Sequence, residues 1–135
     1  MRAAVATAML VALAGCVSSA EQASREAAVD ARAAERLERR LAGYVAGTPQ
    51  ACIQPFRANS SVYGNTIVYD AGGRLYRTDT GGGCFGLRRD DIIVTRTVGT
   101  QLCRGDLVRT VDRTSGFQSG ACSFGDFIPY TRARR

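Results

Sequence analysis

The sequence has no histidine, no lysine and no tryptophan. The missing histidine removes both the commonest general base and the commonest metal ligand, which counts against an enzyme. Arginine carries all the positive charge, and with abundant Ala and Gly this reflects a GC-rich genome more than a function. No C-x-x-C pair occurs among the cysteines, which argues against a thioredoxin-type redox site and a zinc ribbon alike. No apolar run reaches the roughly 20 residues of a membrane-spanning helix.

A shorter apolar run is present. Arg2 precedes a stretch from about Ala3 to Ala14, and small residues lead into Cys16. A charged start, an apolar segment of about a dozen residues and a small-residue end make a secretory signal peptide. Leu13-Ala14-Gly15-Cys16 resembles the lipobox of bacterial lipoproteins, in which the cysteine thiol is acylated and the peptide is cut just before it. The alternative is an ordinary cleaved signal peptide that contains a cysteine. Cysteine parity opposes it, because five cysteines leave one unpaired in an oxidising compartment, whereas lipidating Cys16 leaves four. Two or three acyl chains at roughly 0.8 kcal/mol per buried CH₂ form a stable anchor. Val17 in place of an aspartate, by likeness to the Gram-negative sorting rule, implies the outer membrane, facing the periplasm. Such an address excludes nucleic acid as a partner and leaves the membrane, an envelope protein or an anionic glycan.

The expected organisation is a signal peptide at 1–15, a lipidated cysteine with a helical stalk at 16–47, a β domain at 48–130 and a basic tail at 131–135. From Ala20 to about Leu41 the chain is rich in Ala, Glu, Arg and Leu without Gly or Pro, which favours helix. Ser18-x-x-Glu21 fits a capping box, and Glu21/Arg25 and Glu35/Arg39 are i,i+4 pairs. Leu37, Leu41, Tyr44 and Val45 recur at helical spacing and predict that the last turns dock on the domain, while the alanine-lined remainder forms a solvated stalk. The stalk balances its charge; residues 48–135 hold twelve Arg against seven Asp and carry the whole excess. The basic surface fits an anionic partner or a merely solvated face.

After Pro49 the pattern becomes β. Gly64-Asn65 is a two-residue hairpin turn between Ser60–Tyr63 and Thr66–Tyr69, so Tyr63 should pair with Thr66 and Val62 with Ile67. Val62, Ile67 and Tyr69 then share a face. Arg74–Thr78, Ile92–Val94, Leu107–Val111 and Phe124–Tyr130 complete a mainly β fold, a small antiparallel barrel or sandwich of five to seven short strands preceded by one N-terminal α-helix. Ile92-Ile93-Val94, apolar on both faces, reads as a central strand, and Pro129 puts the last strand's end at an edge. The tail after Tyr130 reads as disordered. Arg-Thr pairs at 77, 96 and 113 precede Cys84, Cys103 and Cys122 at similar spacing, which hints at three repeated units.

Cys52, Cys84, Cys103 and Cys122 read as structural disulfides, which a small β core needs. Four cysteines allow three pairings, and sequence alone does not choose among them. Similar surroundings at Gly83-Cys84-Phe85-Gly86 and Ala121-Cys122-Ser123-Phe124-Gly125 lean toward joining Cys84 to Cys122 and Cys52 to Cys103. Other candidates are weak. Asp90-Asp91 belongs to a turn before the Ile92 strand, since adjacent strand residues face opposite ways. Gly81-Gly82-Gly83 lacks the Gly-Lys-Ser/Thr of a phosphate cradle. Arg104-Gly105-Asp106 matches an integrin tripeptide by letters only. Arg96, Arg104, Arg109 and Asp106 are candidates to surround a small pocket. No catalytic residue, cofactor or metal ligand is expected.

Residues 50–131 resemble a family of small secreted or lipidated proteobacterial proteins prominent in sphingomonads. The likeness rests on Cys52-Ile53, Thr66-Ile67-Val68-Tyr69, Asp91-Ile92-Ile93-Val94-Thr95-Arg96-Thr97, Gln101-Leu102-Cys103, Val111-Asp112-Arg113 and Gly125-Asp126-Phe127-Ile128-Pro129-Tyr130. In that family the positions of Cys52 and Cys103 recur where the other two can be absent, so the resemblance favours pairing them. It supplies no activity. The expected role is therefore non-catalytic, in envelope structure or binding. The alternatives are an inhibitor of a lytic enzyme, which a basic domain suits poorly because such enzymes are often basic, and a small hydrolase or thiol enzyme.

Overall fold

The computed structural model describes the backbone of residues 2–134 and the side chains of residues 19–134. The expected lipid-attachment residue, Cys16, lies outside the described side chains. Helix α1 (Arg2–Leu41) runs N-terminal of Ser18, where the sequence predicts a start. Arg25 and Arg39 pair with Glu21 and Glu35 as the spacing predicts, each exposed pair adding a few tenths of a kcal/mol. The helix stops before Gly43, whose φ of 78° is open to glycine and strained for other residues.

Among the described residues nine strands follow: β1 (Tyr44–Ala46), β2 (Cys52–Ile53), β3 (Asn59–Tyr63), β4 (Thr66–Ala71), β5 (Arg74–Thr80), β6 (Ile92–Arg96), β7 (Leu102–Cys103), β8 (Leu107–Val111) and the long β9 (Gln118–Arg132). A 3-10 turn at Phe85–Arg89 joins β5 to β6. Six strands pair antiparallel in the order β3-β4-β5-β9-β8-β6 and curl into a half-barrel. β1 pairs with the far end of β9, and β2 pairs with β7 as a separate two-stranded ribbon.

The β3–β4 hairpin has the expected register, with Tyr63 opposite Thr66 and Val62 opposite Ile67. A two-residue turn fixes register directly, because it leaves no slack for a slip. The concave face carries Ile67, Tyr69, Val108, Phe124 and Phe127, joined by Ile53, Leu87 and Leu102. Tyr69, Phe124 and Phe127 pack with ring centroids 5.5–6.3 Å apart in edge and tilted arrangements. Val68 and Leu75 are also buried, on the same face as Asp70, which α1 meets through Arg40 at 2.7 Å.

Four expectations are corrected. Ile92–Val94 is an edge strand, since β6 pairs only with β8, and Ile92 and Val94 face outward from the curl, each nearly half exposed. An all-apolar triplet reports two faces that are not charged; it does not report how many neighbours a strand has. Second, β9 is central. It pairs with β5 along one side and with β8 and then β1 along the other. Pro129 is tolerated there because its carbonyl, and hence its missing N–H, faces the side where the chain leaves the ladder, with Gly47 N donating to Pro129 O at 2.7 Å. Third, Tyr44 and Val45 are strand residues, and the tail begins ordered: Thr131 and Arg132 pair with Val45 and Tyr44, and Ala133 N donates to Gly43 O. The last turns of the helix do meet the domain, with Leu37 and Leu41 half-buried, and the contact extends back to the buried Ala33. A Cβ added at Gly64 in the β3–β4 turn would meet the Ala33 methyl at 3.6 Å, so two small residues set the close approach. Fourth, the spaced Arg-Thr pairs hold no common position: one is mid-β5, one ends β6 and one lies in the β8–β9 turn.

Candidate functional site

An antiparallel sheet of six strands has an even strand count, so its two edges, β3 and β6, run antiparallel and could have paired to close a barrel. They stay apart. The seam between them is a cleft of about 510 Å³ lined by Ser60, Ser61 and Val62 of β3 and Ile92 and Ile93 of β6, with Leu87 at its wall. Its size lies within the ordinary range for ligand clefts. A shallower hollow of about 530 Å³ at the β4–β5 turn is lined mainly by turn backbone with Arg74 and Arg132.

The 3-10 turn occupies the place where closure would occur. Cys84, bonded to Cys122 on β9, pins its start, and Ala121 N donates to Gly83 O. Three oxygens fix the turn from beneath. Ser119 Oγ donates to Asp91 Oδ2 at 2.5 Å and lies 2.9 Å from Thr110 Oγ1. A Cβ at Gly86 would lie under 3.0 Å from all three of these atoms, so only glycine fits above the cluster. Asp91 is buried, with the Arg89 guanidinium 3.9 Å away. Asp90 has a left-handed backbone (φ 61°) that ends the 3-10 turn, a conformation aspartate adopts more readily than most residues.

Arginines rim the seam. Arg36 of α1 donates to Val62 O at 3.3 Å and stacks on Tyr63, so the helix covers part of the β3 edge. Arg88 pairs with Asp30 at 3.0 Å, tying the 3-10 turn to α1. Arg113 donates through Nε to Asp90 O at 2.6 Å and sits 3.7 Å from its carboxylate. The β6 edge receives no comparable cover among the described residues.

Asp90 and Asp91 do line one cleft, because both precede the strand rather than lying within it. The expected cluster of Arg96, Arg104, Arg109 and Asp106 does not form. Arg104 pairs with Asp126 at 2.9 Å, and Asp106 accepts from Cys103 N at 2.8 Å. Arg96 and Arg109 lie on the outer face of β6 and β8. The Arg104-Gly105-Asp106 turn is therefore bound into the domain through both charged groups. Cys52 and Cys103 sit opposite each other in β2 and β7 and are bonded, so neither disulfide leaves a thiol in the β domain. Among the described residues no three His, Cys, Asp or Glu side chains converge as metal ligands, and no helix is long and apolar enough to cross a membrane.

Sequence reasoning missed Gly86, Thr110 and Ser119. Thr110 pairs with Gly120 across the β8–β9 hairpin and Ser119 sits at the adjoining bulge, and nothing in their local sequence marks them as partners of Asp91. The only available signal for Gly86 was its recurrence after a cysteine.

No family model, curated protein or solved structure matches the chain.

Proposed function

We propose that this protein is a lipid-anchored envelope component, held at Cys16 on the periplasmic face of the outer membrane, with a non-catalytic role in structure or binding. The lipobox, the odd cysteine count and the likeness to secreted proteobacterial proteins support the address. One observation supports the non-catalytic reading above the rest: the buried Asp91 carboxylate at the seam is engaged by Ser119 beside Thr110, under a glycine that admits no side chain. The sequence contains no imidazole to turn such a pair into a base and nucleophile. The same cleft has an edge strand uncovered among the described residues and a rim of Arg36, Arg88 and Arg113 beside Asp90 and Asp91, and this polar border suits recognition of an envelope protein or a glycan.

The test is a photo-crosslinking residue at Ser61 or Ile93 in living cells, with intact mass measured on the purified protein. A diacylglycerol-modified Cys16 and capture of one specific envelope component are expected. An unmodified Cys16 overturns the anchor. Capture of nothing above background, in cells with an intact envelope, overturns the binding role.

A further inference from the structure

The outer face of β6, β8 and β9 has a composition unlike the rest of the surface. Strand pairing places Ile92, Val94 and Arg96 of β6 beside Val111, Arg109 and Leu107 of β8, with Ala121 and Ser123 of β9 next in line. Because alternate residues of a strand share a face, all eight point away from the core, while Ile93, Thr95, Val108 and Thr110 point inward. Ile92 and Val94 are 43% and 46% exposed, and Val98, just past the strand, is fully exposed. Direct pairing sets Val94 opposite Arg109 and Leu107 opposite Arg96, so aliphatic and guanidinium groups alternate diagonally across the patch.

The face holds no acidic residue. Most of the domain's aspartates have an arginine partner: Asp70 with Arg40, Asp79 with Arg77, Asp90 with Arg113 and Asp126 with Arg104. Among the described residues Arg96 and Arg109 form no ion pair and no hydrogen bond, so their charge is uncompensated. Exposed β-branched side chains interleaved with free guanidiniums complement a surface that is anionic and apolar just beneath its charge. Sugars offer no such apolar layer, and the patch lacks the aromatic anchors that, with arginine, dominate protein interfaces.

We propose that this face is a second membrane contact, in which Arg96 and Arg109 engage the phosphates of anionic lipids while Ile92, Val94 and Leu107 enter the headgroup boundary. It deepens the envelope reading by assigning an orientation to the anchored domain, and its test does not depend on the anchor. Each basic residue near an anionic surface contributes about 1 kcal/mol, so losing both guanidiniums should weaken the contact by roughly thirtyfold, more if the charges are reversed.

The absence of tryptophan provides a clean reporter. Val94→Trp in the full chain is the only indole, and its emission is read with phosphatidylcholine vesicles that contain or lack phosphatidylglycerol, including brominated lipid as quencher. Flotation of the same samples reports attachment separately. Expected are a blue shift and quenching that need phosphatidylglycerol and are lost in Arg96→Glu/Arg109→Glu. A tryptophan at Ser61, on the seam, should stay unquenched. An unshifted Val94→Trp in floated anionic vesicles overturns the contact and leaves the anchor standing. Flotation and a blue shift that both require phosphatidylglycerol remove the anchor and leave the contact standing, while a chain that floats with neither vesicle overturns both. A concentration-dependent blue shift without vesicles assigns the face to a second copy of the chain and overturns the lipid reading.

Discussion

Gly86 shows how a single missing side chain positions the seam. An added methyl would lie under 3.0 Å from Asp91 Oδ2, Ser119 Oγ and Thr110 Oγ1, so it must displace this buried, mutually bonded cluster or lift the 3-10 turn. Both are held, the turn by the Cys84–Cys122 bond and the cluster by the β8–β9 ladder. Gly86→Ala should therefore cost about 1–3 kcal/mol, as overpacking of a rigid site does, and chemical denaturation of the oxidised protein measures it. Ser119→Ala leaves the buried carboxylate short of a donor and should cost about 1–3 kcal/mol. Equal stability of Ser119→Ala and the parent would mean that water replaces the hydroxyl without loss. Tyr69 supplies a second residue-scale prediction. Burial among Phe124 and Phe127 pushes its hydroxyl up to about 12 from an ordinary 10. Between those values the unfolded chain releases the proton and the folded chain keeps it. The stabilisation is thus complete below pH 10 and disappears as pH rises toward 12, a difference on the order of 2–3 kcal/mol. Tyr69→Phe should flatten the stability profile in that window relative to the parent.

At the scale of elements, the β8–β9 hairpin turns on Asp112. Its Oδ1 accepts from the Ser115 backbone N–H, the Ser115 hydroxyl and the Thr114 N–H, and these donors hold the carboxyl below the usual aspartate range. The turn's stabilisation is present above the unfolded-state pKa and is lost as pH falls through the lower folded value. An NMR titration should place the Asp112 carboxyl midpoint below 3.8, and Ser115→Ala should move it back up. Hairpins with short, specific turn chemistry were readable from sequence, as the β3–β4 register shows. The rank of a strand within the sheet was not. β6 and β9 were misordered because apolar residues mark burial or merely uncharged surface, and a proline marks a missing donor without saying which neighbour it faces. Helix docking was readable in part. Leu37 and Leu41 marked last turns that do meet the domain, whereas Tyr44 and Val45 belong to β1, and the contacts of Ala33, Arg36 and Arg40 with Gly64, Val62 and Asp70 carry no local signal.

For the whole molecule, two cross-links hold different parts. Cys52–Cys103 joins the β2–β7 ribbon across a separation of 51 residues, and Cys84–Cys122 ties the 3-10 turn to the central strand across 38. In the chain-entropy account each contributes about 4 kcal/mol. Replacing Cys84 and Cys122 together by alanine should loosen the seam and lower the melting temperature, with faster amide exchange at Phe85–Asp91. Replacing Cys52 and Cys103 should leave those amides protected while still lowering overall stability. Identical exchange patterns in the two variants would show that the domain unfolds only as a unit.

The sequence by itself determined a helix followed by a cross-linked antiparallel β domain, the β3–β4 register, the basic character of the β region and the absence of histidine chemistry. These follow from local pattern and composition, which act over a few residues. Only the tertiary structure decided that the sheet remains open, that the 3-10 turn and a helix-borne arginine stand where closure would occur, and that Asp91, Thr110 and Ser119 meet. It also brought Arg96 and Arg109 together on a face without acid. Each of these depends on which strands become neighbours, a choice made by packing between segments distant in sequence, such as Asp91 and Ser119, 28 residues apart. No local pattern encodes that choice, because the free energy separating an open sheet from a closed one is spread over the whole core.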